Sequence, residues 1–166
     1  RSALAPVSDF RIVASSDDGE EHVLAGNMAA LDSSDLELGY EGDMAPDSLQ
    51  PVGCRWEGAP IPTGARTTET RVQFSADDID NPYHAPDVSV IIEGELSASP
   101  ATFGSTAGDI SSRPATAAQV VWDIPRWTTV HAKGPDERTP DISSIIQEIV
   151  DQPGWTGGAV VLTFRD

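Results

Sequence analysis

Lysine is almost missing from this chain. One residue, Lys133, stands among 166, and only ten basic residues face 27 Asp and Glu. A net charge of −17 argues against nucleic acid and anionic membrane as partners, because phosphate recognition needs positive charge. Cysteine is equally scarce. Cys54 is alone, so the chain has neither an internal disulfide framework nor a cysteine-built zinc site. In "VGCRW" that thiol reads as a buried, inert strand residue rather than a nucleophile. No apolar run approaches the roughly 18 residues that a membrane span requires. The opening "RSALAP" lacks the charged-then-apolar pattern of a leader. Three histidines, His22, His84 and His131, occur without any HExxH, GxSxG or Cys/His signature.

The composition that remains is 39% hydrophobic with 14 Gly and 13 Pro, which suits a turn-rich all-β domain. The length fits one domain able to bury its own core, residues 1–166, with 1–9 as an extended lead-in. Several short segments carry strand patterning. "FRIVASSDDGEEHVL" (10–24) reads as an apolar stretch, an acidic turn and a short strand. In "LDSSDLELGYEG" (31–42), Leu36 and Leu38 alternate with Asp35 and Glu37, the period of a half-buried strand. Val52, Cys54 and Trp56 alternate, then Val72 and Phe74 after a Pro/Gly turn. "DVSVIIEGEL" (87–96) is the most apolar and β-branched segment. "AAQVVWDIPRWTTV" (117–130) is a strand broken by Pro125, and "GAVVLTFRD" (158–166) is a final strand. Strands at this spacing predict an all-β sandwich or jelly roll.

One segment has a helical rhythm. Ile142, Ile145, Ile146, Ile149 and Val150 form a single apolar stripe. Thr139 as N-cap, Pro140 in the first turn and Pro153–Gly154 as the stop predict a short amphipathic helix over about 140–151, packed on the sandwich.

The blocks "VGCRWEGAPIPTGARTTETRVQFSADD", "VIIEGELSASPATF", "ISSRPATAAQVVWDIPRWTTV" and "RTPDISSIIQEIVDQPGWTGGAVVLTF" resemble a secreted domain repeated in large surface and adhesion proteins of marine bacteria. The resemblance covers roughly residues 10–165. It implies a β-sandwich (jelly-roll) module like a carbohydrate-binding domain, extracellular or at the cell surface. It further implies a non-enzymatic role in adhesion or glycan recognition, with a glycan or a cell-surface or matrix component as partner. Two departures stand out. The "DNPYHAP" loop (80–86) is an embellishment. The family pattern also runs past the final strand, whereas this chain ends at Asp166. The missing strands are replaced by the N-terminal segment, supplied by another chain, or absent because the sequence is a fragment. On the first two readings the edge beside "GGAVVLTF" is covered, with Phe10 to Val13 as the pairing segment. The second reading leads to an alternative function: a structural subunit of a surface fibre or appendage, assembled by strand addition between chains.

Candidate site residues fall into two groups. The acidic stretches "SSDDGEEH" (15–22) and "LDSSDLE" (31–37) offer Asp17, Asp18, Glu20, Glu21, Asp32 and Asp35 as oxygen ligands for a structural calcium ion. They equally suit plain solvated turns. The jelly-roll resemblance adds Asp166 and implies that Asp18, Glu20, Asp35 and Asp166 converge. For glycan binding, Tyr40, Tyr83 and His84 lie in polar, turn-rich stretches and are the platform candidates. The four Trp residues read as core. Glu93 and Glu95 lie two apart on a strand, hence side by side rather than across a cleft, which argues against glycoside hydrolysis.

Overall fold

The computed structural model describes residues 8–22, 27–31, 33–40, 49–79 and 88–166. The chain is all-β and sandwich-like; the described residues form two antiparallel sheets and one short helix. The large sheet contains β1 (Asp18–His22), β2 (Asn27–Ala30), β5 (Val52–Ala59), β6 (Val88–Glu95), β7 (Ala115–Ile124) and β8 (Gly158–Arg165) in the order β2-β1-β5-β8-β6-β7. A two-stranded sheet pairs β3 (Gly39–Tyr40) with β4 (Leu49–Gln50).

The final strand is not an edge. β8 lies in the middle of the sheet, hydrogen-bonded to β5 on one side and β6 on the other. Its unbroken run of six buried residues is what a strand covered on both faces demands. The expectation that Phe10 to Val13 covers this edge is therefore corrected. Residues 10–13 are in no strand, and Val13 is 83% exposed. Strand order along the chain makes the last strand look like an open end, but the antiparallel ladder inserts it between two earlier ones.

One face of the large sheet forms the main core. Val52, Cys54, Val90, Ile92, Trp122, Val160, Leu162 and Phe164 alternate inward from four strands. A second layer covers them. Its helix α1 (Ser143–Val150) presses Ile145, Ile146, Ile149 and Val150 onto the sheet. A β-carbon on Gly94 would come within 2.7 Å of Ile149 and 2.8 Å of Ile145, so the helix can approach only because that residue is glycine. Beside the helix, an extended pair of segments is joined by the Gln73–Arg138 bridge and by hydrogen bonds from Phe74 to Glu137 and from Thr139 to Val72. Phe74 links the layers, stacking on Trp122 at 5.6 Å and meeting Phe164 edge-on at 5.3 Å.

The helix starts three residues later than the sequence suggests. Thr139 is spent elsewhere: its hydroxyl accepts from Val72 N–H at 2.9 Å while its own N–H donates to Val72. Ile142 N–H donates to Thr70 O, and Asp141 Oδ1 accepts from Ser143 N–H at 2.9 Å. Tertiary pairing with the 70–74 segment thus outcompetes a longer first turn.

The opposite face of the sheet is covered in part. Over β1, β5 and β8 lies the 96–114 loop, whose Phe103 and Ile110 pack with Val161. Gly53 permits this: its β-carbon would lie 2.6 Å from Phe103. Arg113 holds the loop together. It sits 4.5 Å over the Phe103 ring, donates to Ala101, Thr102 and Asp109 carbonyls, and pairs with Glu95.

Candidate functional site

Strand alternation decides where the acidic residues go. The stretch expected to be an acidic turn is a single 3-10 turn (Ser15–Asp17) followed by β1, so successive carboxylates point to opposite faces. Asp17 and Glu21 face the 96–114 loop. Asp17 is buried and ion-paired with Arg55. Glu21 is buried and accepts from Ile110 N–H at 2.8 Å, Ser111 N–H at 2.9 Å and the Ser111 hydroxyl. Both carboxylates brace the loop. Asp18 and Glu20 point the other way, toward the main core, opposite Cys54 and Val52.

The expected convergence of Asp18, Glu20, Asp35 and Asp166 does not occur as one group. Asp18 lies on the ladder row of Cys54 and Leu162, two strands and four residues from Asp166, a separation of roughly 16 Å at standard strand spacing. Asp35 is exposed and accepts from the Ser33 and Ser34 hydroxyls. Asp32 lies outside the described residues. Among the described residues, no three His, Cys, Asp or Glu side chains gather as a metal-holding set.

A smaller polar cluster, with no signature in the sequence, forms where β1 meets the β3–β4 sheet. Glu37 N–H donates to Glu20 Oε1. Gln50 Nε2 donates to Glu37 O at 3.2 Å and reaches Glu37 Oε2 at 3.4 Å. Gln50 and Glu20 are both buried. Burial, and then the neighbouring Asp17 charge, push the Asp18 carboxyl above its ordinary value. Burial first, with Asp18 and Glu20 adding to it, pushes the Cys54 thiol far up, which makes it unreactive.

The Asp18 shift gives a pH prediction. A carboxyl that holds its proton more tightly when folded weakens the fold once it ionises. Stability from this group is greatest below the unfolded value of 3.8 and falls as pH rises through the higher folded value. Asp18→Asn is expected to raise Tm at neutral pH, with the gain vanishing in acid. A gain that persists unchanged at low pH would show that ionisation is not its cause.

A second arrangement lies on the loop-side face over β6, β7 and the end of β8, where no described segment covers the sheet. The register places Ser89 opposite Asp123, Ile91 opposite Val121, and Glu93 opposite Gln119. Glu93 receives both Nε and Nη2 of Arg165 at 2.8 Å and Gln119 Nε2 at 2.8 Å; Ser89 donates to Asp123 at 2.9 Å. The Glu93 contact raises the Arg165 guanidinium above its usual value. At the centre sit Ile91 and Val121, the latter 59% exposed. Glu93 and Glu95 thus serve different arginines, Arg165 and Arg113. The signal for this face was present in the alternation Gln119, Val121, Asp123, but which face the described segments cover is a tertiary fact.

Of the platform candidates, Tyr40 is half-buried on β3, opposite Leu49. Tyr83 and His84 lie outside the described residues. Trp122 and Trp155 are buried, and Trp56 and Trp127 are half-buried against the main core. Among the described residues, no helix is long and apolar enough to cross a membrane. No family model, curated protein or solved structure matches the chain.

Proposed function

We propose that the chain is a non-enzymatic extracellular module for adhesion or glycan recognition, with calcium stabilising its loops. The observation that carries this reading is the sheet face over β6 and β7 that no described segment covers. Its serine, glutamine and carboxylate groups ring an aliphatic pair, half-buried Ile91 and exposed Val121, an arrangement suited to hydroxyl groups around an apolar sugar face. Burial of Cys54 and the engagement of Glu93 and Glu95 by arginines favour binding over catalysis. The acidic composition suits solubility in salt. A glycan array run with and without chelator tests the reading. Binding is expected to weaken in Gln119→Ala and Asp123→Ala, whose exposed side chains leave the core intact. Hits that survive both changes would move the site elsewhere, with Tyr40, Tyr83 and His84 as the next residues to replace; an array without hits would sink the glycan reading.

A second reading, a subunit assembled by strand addition, is favoured by the edge of β7. This ten-residue strand has a partner on one side only among the described residues and carries one charge, Asp123. Glu148 of α1 accepts from Ala117 N–H at 2.9 Å and Ala118 N–H at 2.8 Å, guarding the first part of that edge alone. Light scattering distinguishes the readings: a monomer at all salt concentrations speaks for the binding module, and laddering that grows with salt speaks for the subunit.

A further inference from the structure

Among the described residues β7 has one sheet neighbour, β6, so one row of its backbone N–H and C=O groups has no strand partner. The two ends of that row are closed in different ways. At its start, Glu148 of α1 accepts from Ala117 N–H at 2.9 Å and Ala118 N–H at 2.8 Å. At its end, Pro125 follows the strand and has no N–H to offer. Between them run Gln119 to Ile124, with Gln119, Val121 and Asp123 exposed on one face and Val121 59% so. Edges of this length are usually blunted by several charges, lysine above all. Here Asp123 is the one charge in β7.

A second copy of the same strand fits this edge in one antiparallel register. Centred on Val121, that register sets Val121 against Val121, Gln119 against Asp123 and Val120 against Trp122. It also sets Ala117 against Pro125, so the N–H that Glu148 already holds meets the residue that has none. Each Asp123 carboxylate then faces an amide rather than its like, the favourable choice for directly opposed side chains. A centre at Val120 would draw the N–H groups held by Glu148 into the ladder. A centre at Trp122 would end the ladder at Gln119, opposite Pro125, and one at Asp123 would oppose the two carboxylates.

We propose that β7 pairs with β7 of a second copy about a two-fold axis at Val121. The inference rests on the strand-addition reading above and changes its outcome. A two-fold contact uses the same edge on both copies and closes, giving a dimer rather than a fibre. The two large sheets then join edge to edge with their Val121 faces on the same side. One strand pair is a small interface and each copy carries a net charge of −17, so the dimer is weak at low salt and tightens as salt screens the repulsion.

The test is sedimentation velocity on the whole chain over a range of protein and salt concentrations, with variants at exposed positions of β7. Wild type is expected to pass from monomer to dimer and to stop there. Val121→Lys sets two ammonium groups face to face at the axis and is expected to weaken the dimer roughly tenfold or more. The same change lowers the net negative charge, so non-specific association would strengthen instead. Val121→Cys is expected to form an interchain disulfide under mild oxidation, because directly opposed residues of an antiparallel pair lie within bridging distance. Cys54, 1% exposed, takes no part. Gln119→Cys is expected to stay unlinked alone and to cross-link when mixed with Asp123→Cys, which reads the register. A monomer under every condition would overturn both this pairing and the strand-addition reading. Laddering beyond the dimer would leave strand addition standing and overturn the closed pair, as would a Val121→Lys dimer as tight as wild type. None of these readouts involves a sugar, so the glycan array decides the recognition reading separately.

Discussion

Ile146→Asp is expected to leave no cooperative unfolding transition, while Ser144→Asp folds with nearly unchanged stability. Ile146 is 3% exposed in the centre of the α1 stripe. Removing its aliphatic bulk costs about 2–5 kcal/mol, and placing an unpaired carboxylate there adds several more. Domains of this size hold about 5–15 kcal/mol in all, so the sum is comparable with the whole. Ser144 faces solvent on the same helix and controls for helix propensity and charge. Gln147 is not a neutral control, despite its place off the apolar stripe. Its Oε1 accepts from Thr67 N–H at 2.9 Å and its Nε2 donates to Ala65 O at 3.1 Å, so the helix is also stitched to the 65–67 loop. Circular dichroism melts read the comparison, and a sharp transition in Ile146→Asp would mean that the helix does not pack on the sheet.

The second large effect is expected at Arg55. Its Nη1 meets Asp17 Oδ1 and its Nε donates to Pro100 O at 3.1 Å, with both partners of the ion pair buried. Arg55→Met strands the Asp17 carboxylate in the interior, a loss of about 3–5 kcal/mol. Asp17→Leu combined with Arg55→Met is expected to recover most of it, because a well-packed apolar pair escapes the desolvation penalty. Urea titration with an unchanged m-value measures both. A single-variant loss below about 1 kcal/mol would place the pair among weak surface bridges and contradict its burial.

Period and punctuation are legible in the residues alone. The alternation in β5, β6, β7 and β8 emerges because one face of each packs on an apolar layer, and the helix because five β-branched residues fall on one stripe. The acidic stretch was not legible. Asp-Gly-Glu-Glu reads as a turn because burying carboxylates costs free energy, and only distant partners reverse that balance: Arg55 for Asp17, and the Ile110 and Ser111 N–H groups for Glu21. Gln50 was equally hidden, since a glutamine before a proline carries no sign of burial.

By itself, then, the sequence determined the fold class, the helix and the strongly acidic balance, because local periodicity and total charge are properties of the chain alone. Strand order, the interior place of β8 and the face each carboxylate takes were decided by the tertiary structure. Each depends on which segments, tens of residues apart, meet across a ladder or a core, and a one-residue change of register would send every side chain of a strand to the opposite face.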